Sequence, residues 1–433
     1  MNISQHKVHL EDRRSWYLGL GVLGAALAIN LGFVFVPRLE PAVFREHPVL
    51  VFTQWWEEEM ERGSLRALAD EFEKRNPGVT IILDTRPYGE IRDRLVYSRE
   101  GVKFPDIIGL DPRWIDEFIQ KKLLEPLDAY RTEPEEERFP DAGRFVSPPS
   151  AAAQDWTLPL IATMNLLFYH IDMLQEAGFD RPPKNQDEFI RIAQAVTDPV
   201  RGRYALSIAL SPENPQDIYD EFLPWFWAAG VPLIQDGRVR FDTLQGNLTL
   251  TFLSALYQEQ FIAPQPFAKT RREKREEFIT GRAAMMLGSV SDIHVLRERG
   301  VSFGITAVPG PASYIGKPVF GLQSWHGGIG SASRHKAEAW TFLQFLAENR
   351  SRLGAAAYAV PGGRTVEPYI SEDPLYSKVY DIYEAGEALE EFAGLEGVSQ
   401  MEEIFHEALY RMFEEKLSPA ETAAALQQRL DQR

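Results

Sequence analysis

The residues of this sequence with usable chemistry stand just beyond short apolar runs. Gln54-Trp55-Trp56 follows Val49 to Thr53, Arg86-Pro87-Tyr88 comes after Val79 to Leu83, and Asp111-Pro112-Arg113-Trp114 follows Asp106 to Leu110. Aromatic rings, a planar amide, a carboxylate and two guanidinium groups are what a carbohydrate needs. The apolar C–H faces of a sugar stack on indole, and its hydroxyl groups pair with planar polar groups. Each residue also has a plainer use. Trp55 and Trp114 can fill a core near helix starts, Asp111 can cap a helix beginning near Arg113, and Arg113 can pair with surface acids.

Other chemistry is missing. The chain has no cysteine, which excludes disulfides, thiolate metal sites, a cysteine nucleophile and a lipidated cysteine. None of its 8 histidines stands in a HExxH arrangement, and no G-x-S-x-G elbow occurs. His326 beside Gly327-Gly328 reads as a satisfied loop histidine rather than a metal ligand, and no metal or cofactor is expected. With 63 acidic against 46 basic side chains the formal net charge is −17, so nucleic acid is not an expected partner.

The elements that must position these groups read as an α/β alternation. The three apolar runs are strands. Ser64 caps a helix carrying Leu65, Leu68, Ala69 and Phe72 at helical spacing, Asn76-Pro77-Gly78 ends it, and Ile91 to Tyr97 and Trp114 to Gln120 are further helices. Such an alternation implies a mostly parallel sheet, whose ligands bind beyond the carboxyl ends of its strands. The residues singled out above lie at those ends. At 433 residues the chain is too long for one compact core, so at least two lobes are expected.

The N-terminus reads differently. The 22 residues from Ser15 to Val36 carry no charge, enough to cross a hydrocarbon core as a helix. Lys7, Arg13 and Arg14 precede them, which orients Met1 to the cytoplasm and the bulk of the chain outside. The expectation is a cytoplasmic 1–14, a transmembrane signal anchor at 15–37 and a linker at 38–47, with the protein extracytoplasmic (periplasmic or cell-surface). Ala26-Leu27-Ala28 keeps open a cleavable signal peptide, which also exports the chain. A buried core helix is the third reading.

From Trp156 onward a family pattern emerges. The stretch WTLPLIATMNLLFYHIDMLQEAGFDRPPKNQDEFIRIAQAVTD has a Leu-Pro before a strand, a Tyr at its end, an Ala-Gly helix end, a Pro-Pro turn and an Asp-Glu-Phe helix. Phe278 to Met286 (FITGRAAMM), Gly304 to Gly310, Ala337 to Leu346 and Leu417 to Leu426 continue it in order, and Phe72 to Val79 precedes it. In these motifs the chain resembles the family 1 extracellular solute-binding proteins, the sugar receptors of ABC importers of which maltose-binding protein is the familiar member. Two departures stand out: no lipidation cysteine follows the apolar segment, and His170 stands where Asn is usual.

The resemblance implies an α/β, two-lobed periplasmic-binding-protein fold of type II-like topology. Lobe 1 would hold 48–160 plus 310–332 and lobe 2 would hold 161–309 plus 333–433, with hinge crossings near Leu160, Val308 and Ser333. It makes ligand candidates of Trp55, Trp56, Asp111 and Trp114, already singled out with Tyr88, and adds Tyr219 and Trp225 from the second lobe. Gly288 and Ser289 after the Met-Met strand, Trp325 in a loop reaching the cleft, and Arg364 complete the set. Trp340 and Met285-Met286 read as core, and Trp227 as either.

The function so implied is a receptor, not an enzyme. It would capture a sugar or oligosaccharide by hinge closure, deliver it to ABC transporter permease subunits, and act as a monomer. A membrane-anchored sensory or adhesive carbohydrate-binding ectodomain is the alternative. A glycosidase would also place carboxylates beside aromatics, but it would not explain the family motifs.

Overall fold

The β-branched runs form strands and the amphipathic stretches pack over them. The computed structural model describes residues 47–97, 104–130, 155–212, 217–230, 232–235, 238–361, 372–389 and 398–432. The anchor expected at 15–37, its flanks, and Arg364 lie outside the described residues. Among the described residues no helix is long and apolar enough to cross a membrane.

The chain opens with β1 (Val49–Gln54), α1 (Ser64–Arg75), β2 (Thr80–Thr85), α2 (Tyr88–Val96), β3 (Ile107–Leu110) and α3 (Pro112–Gln120). A long strand β4 (Thr157–His170) leads to α4 (Ile171–Glu176), α5 (Gln186–Val196), β5 (Tyr204–Ser207), α6 (Asp217–Glu221) and α7 (Leu223–Trp227). The short pair β6 (Ile234–Gln235) and β7 (Arg238–Val239) precedes α8 (Leu244–Gln258), α9 (Arg271–Ile279), β8 (Ala283–Ser289), α10 (Asp292–Glu298) and β9 (Phe303–Thr306). A second long strand β10 (Val319–Ile329) is followed by α11 (Lys336–Glu348), α12 (Arg350–Ala357) and β11 (Val360–Pro361). Then come α13 (Pro374–Ala385), β12 (Glu387–Leu389), α14 (Val398–Phe413) and α15 (Pro419–Asp431).

The main sheet runs β2-β1-β3-β10-β4-β8-β5, with β9 and β11 on β4 and β12 on β10. It is mixed rather than mostly parallel. β1 pairs in parallel with β2 and β3, but β10 and β4 run antiparallel through the middle. β4 changes partner along its length, pairing β10 as far as Met164 and β8 from Asn165.

Buried side chains separate along that change. A first lobe is built around β1, β3, α1 and α3, with Phe52, Phe72, Ile107 and Phe118 at its centre. A second lobe carries apolar layers on both faces of the β4–β8 pair. Met285 faces the layer of Phe189, Phe222 and Phe405, while its neighbour Met286 faces that of Phe168, Val290 and Val379, as strand alternation requires. The Met-Met pair is thus core strand, and Trp340 is core as well.

Local differences from the sequence reading have simple causes. Gly63 at φ 82°, not Ser64, is the cap of α1. Gln323 to Gly328 belongs to β10 rather than to a loop. Helices α11 and α12 place Phe342, Leu343 and Leu353 in the first-lobe core, whereas the resemblance puts 333–433 in the second lobe. The end of β10 already pairs with β3, so the chain re-enters the first lobe before α11 begins.

Candidate functional site

Beyond the carboxyl ends of β1 and β3 the expected aromatic residues do converge. Trp55 makes edge contacts with Tyr88, Trp114 and Trp325 at ring-centroid distances of 5.1, 5.5 and 6.0 Å. Tyr88 leans on Trp114 at 4.7 Å, and Trp56 stacks on Trp325 at 5.3 Å and 12°. Trp325 reaches this cluster from β10 beside a register shift between Trp325 and His326, where the facing strand carries Pro159, a residue with no N–H to give the ladder. Trp55 is 3% exposed, Trp56 0%, Trp114 6% and Trp325 2%. These tryptophans therefore form a mutually packed wall, and their stabilising role comes from burial and ring geometry.

The polar edge of that wall is a three-residue network. Asp111 caps α3 by accepting from Arg113 N at 2.9 Å, so the capping reading holds. The same carboxylate also takes Arg113 Nε at 2.9 Å and Nη2 at 2.7 Å. Tyr88 Oη donates to Asp111 Oδ2 at 2.9 Å and accepts from Arg113 Nη2 at 2.8 Å. Burial opposes the charged form of Asp111, but the Arg113 charge and hydrogen bonds win and hold its carboxyl below the usual range. Burial, together with the Asp111 charge, pushes the Tyr88 hydroxyl well above its ordinary value, so it stays protonated.

The second lobe brings its own groups to this place. The Arg113 guanidinium, carried by the first lobe, lies over the Tyr219 ring at 4.8 Å from its centroid. One residue on, Asp220 accepts from Asn165 Nδ2 at 2.8 Å and is bonded by Gln323 Nε2 and Arg271. Arg271 also donates to Asp217 at 2.8 Å, and Arg275 pairs with Asp292 at 3.2 Å. Glu59, from the first lobe just past Trp56, faces Arg271, Arg275, Asp220 and Asp292. Burial raises its pKa to about 7, against the pull of Arg271. Glu402 on α14 faces Arg113 and Arg92 across the same divide, and burial raises it likewise to about 7. Behind them the buried Lys274 pairs with Glu221 and donates to Leu287 O at 2.6 Å.

The other expected residues fall on both sides of this line. Ser289 pairs in register with Asn165. A Cβ on Gly288 would come within 2.6 Å of Asp292 Oδ2, so the absence of a side chain lets that carboxylate approach the strand end. Trp225 is a correction: at 0% exposure it packs edge-on to Phe189 at 5.5 Å inside the second-lobe core. Its hydrophobic flanks and helical spacing make it core. His326 is not a loop residue but a buried strand residue, with Thr157 Oγ1 and Ser324 Oγ each 2.9 Å from a ring nitrogen. Burial lowers its pKa to about 3, so it is neutral. Among the described residues no group of three or more His, Asp and Glu is placed to hold a metal ion.

Sequence reasoning missed Glu59, Asn165, Asp220, Arg271 and Gln323. Asn165 could have been found, since it is the one amide inside the apolar stretch Leu160 to Tyr169. Arg271 sits in the charged run Arg271 to Glu277, where nothing local sets it apart from its charged neighbours.

A two-lobed α/β fold with charged and aromatic groups meeting between the lobes defines a solute-binding architecture. Residues 57–352 match the model of the bacterial extracellular solute-binding protein family, and the chain belongs to that family. A putative binding protein of Brucella abortus is 24% identical over 283 residues, 64% of this chain and 66% of that protein, so the match spans just under two thirds of its length. The maltotriose-binding protein of Pyrococcus abyssi is 22% identical over 335 residues, 75% of this chain and 68% of that one. Among solved structures, the GacH receptor of Streptomyces glaucescens, studied with acarbose, superposes with a TM-score of 0.71 at 19% identity, over 88% of this chain and 96% of that one. A solute-binding protein of Thermotoga lettingae bound with α-D-tagatose gives 0.72 at 20% identity, over 89% and 99%.

Proposed function

We propose that this chain is the extracytoplasmic receptor of an ABC importer, taking a sugar or oligosaccharide between its lobes and delivering it to a permease without chemical change. The observation that carries the reading is the contact of first-lobe Arg113, held by Asp111 and Tyr88, with second-lobe Tyr219, beside the Asp220–Arg271 pair, in a member of this family. Relatives named for maltotriose, acarbose and tagatose support a carbohydrate cargo. Because the tryptophans are packed against one another, recognition falls chiefly to the charged and amide groups, which suit the hydroxyl groups of a sugar. Closure follows if the solute contacts both lobes, since only differential contact with the closed form shifts the balance.

The uncharged 15–36 segment, with basic residues before it, supports an anchor that keeps the receptor beside its permease at the membrane. A thermal-shift panel on the full chain in detergent tests the cargo class, with maltose, maltotriose, tagatose and a dipeptide as probes. A sugar-dependent rise in melting temperature, with the sugar recovered intact, is expected. A response to the dipeptide alone, or hydrolysis of the sugar, would defeat the reading.

A further inference from the structure

We propose that Arg113 is an interlobe latch: a guanidinium fixed in the first lobe onto which Tyr219 of the second lobe closes, setting solute affinity through the closed form. The inference rests on the receptor reading only in that closure is the binding event.

The hydrogen-bonding edge of Arg113 is already engaged. Its Nε and Nη2 are held by the two oxygens of Asp111 at 2.9 and 2.7 Å, and Nη2 also donates to Tyr88 Oη at 2.8 Å. Tyr88 is in turn wedged against Trp55 and Trp114. A guanidinium so clamped keeps its place whether or not the second lobe is near, and its charge is presented to that lobe. Guanidinium is weakly hydrated across its plane, which suits it to an aromatic partner.

The Tyr219 ring lies beneath the guanidinium carbon, 4.8 Å from the ring centroid, and Tyr219 is 2% exposed. Its own position is set by the second-lobe core, through an edge contact with Phe405 at 6.3 Å. Glu402, one helical turn from Phe405 on α14, brings a carboxyl group toward Arg113 from the same lobe. The two lobes are therefore joined at a contact whose halves are each rigidly held by their own lobe. Such a contact exists in the closed arrangement and is lost on opening. Whatever it contributes is differential, and it adds to the affinity of any solute that binds the closed form.

The test needs no solute. The chain has no cysteine, so Ile82→Cys and Val200→Cys place one spin label on each lobe at residues 46% and 98% exposed. Pulsed electron resonance on the full chain in detergent then reads the interlobe distance. In the parent pair a short-distance population is expected. Tyr219→Leu should lower the ratio of short to long distances roughly 3- to 30-fold, the range of a partly desolvated cation–π contact. Arg113→Lys keeps a charge beside Asp111 but removes the planar face, and should shift the ratio the same way. If Tyr219→Leu fails to melt cooperatively, the Arg113→Lys result alone decides. A distance distribution unchanged in Arg113→Lys overturns the latch. The receptor reading is judged separately by the sugar panel, so the two can fail independently.

Discussion

Trp56 and Trp325 lie nearly parallel, centroids 5.3 Å apart and planes 12° apart, although 269 residues separate them in sequence. The first follows β1 and the second sits on β10, two strands separated in the sheet by β3. Their stack ties the aromatic wall to the sheet beneath it. Both are essentially buried, so truncation creates a large cavity. Trp325→Ala is expected to cost about 3–5 kcal/mol of stability, read by chemical denaturation. A loss below about 1 kcal/mol would show that the wall is loosely packed.

The acid response of the fold has a defined sign. Glu59 and Glu402 are each raised from 4.5 to about 7 by burial. Between those values the folded protein holds protons that the unfolded chain has released. Their contribution to stability is therefore fully present below about pH 4.5 and is lost as pH rises through about 7. The melting temperature of the parent should fall across that window, and Glu59→Gln with Glu402→Gln should flatten the fall. An unchanged slope in the double variant contradicts the assignment.

The buried Lys274–Glu221 pair predicts an asymmetric mutational response. Lys274→Met strands the Glu221 carboxyl group, whose side chain is 1% exposed, and a loss of about 3–5 kcal/mol is expected in denaturant. Lys274 and Glu221 replaced together by Met and Leu should recover most of it. Equal losses in the single and double variants would mean that the pair does not interact as described.

Much of this was legible in the sequence because the strand ends obey a simple rule. Tyr88, Asp111 and Trp114 meet because β1, β2 and β3 are parallel neighbours, and the apolar runs announced those strands. What failed was anything decided by distant partners. Gly327-Gly328 looked like a loop, yet a Cβ on Gly327 would lie 2.4 Å from Leu343 Cδ2 and one on Gly328 2.7 Å from Leu110 Cδ1. These glycines let a helix and a strand press against β10, a requirement invisible in local propensity. Trp225 and Tyr219 stand six residues apart in the same aromatic stretch. Only the fold shows that one faces the core and the other the opposite lobe.

Asp220 gathers Asn165, Gln323 and Arg271 around one carboxylate, tying strands β4 and β10 to helices α6 and α9. Arg271→Ala should weaken binding of whichever sugar the panel identifies by about tenfold or more, with a smaller effect on melting, as checked by calorimetric titration. An unchanged affinity would move the site elsewhere.

Capture between the lobes is tested most directly by hydrogen exchange on the full chain, with and without that saturating sugar. The account predicts slowed exchange on both sides at once, at α2 and α3 of the first lobe and at α6 and α9 of the second. Protection confined to one lobe would contradict it.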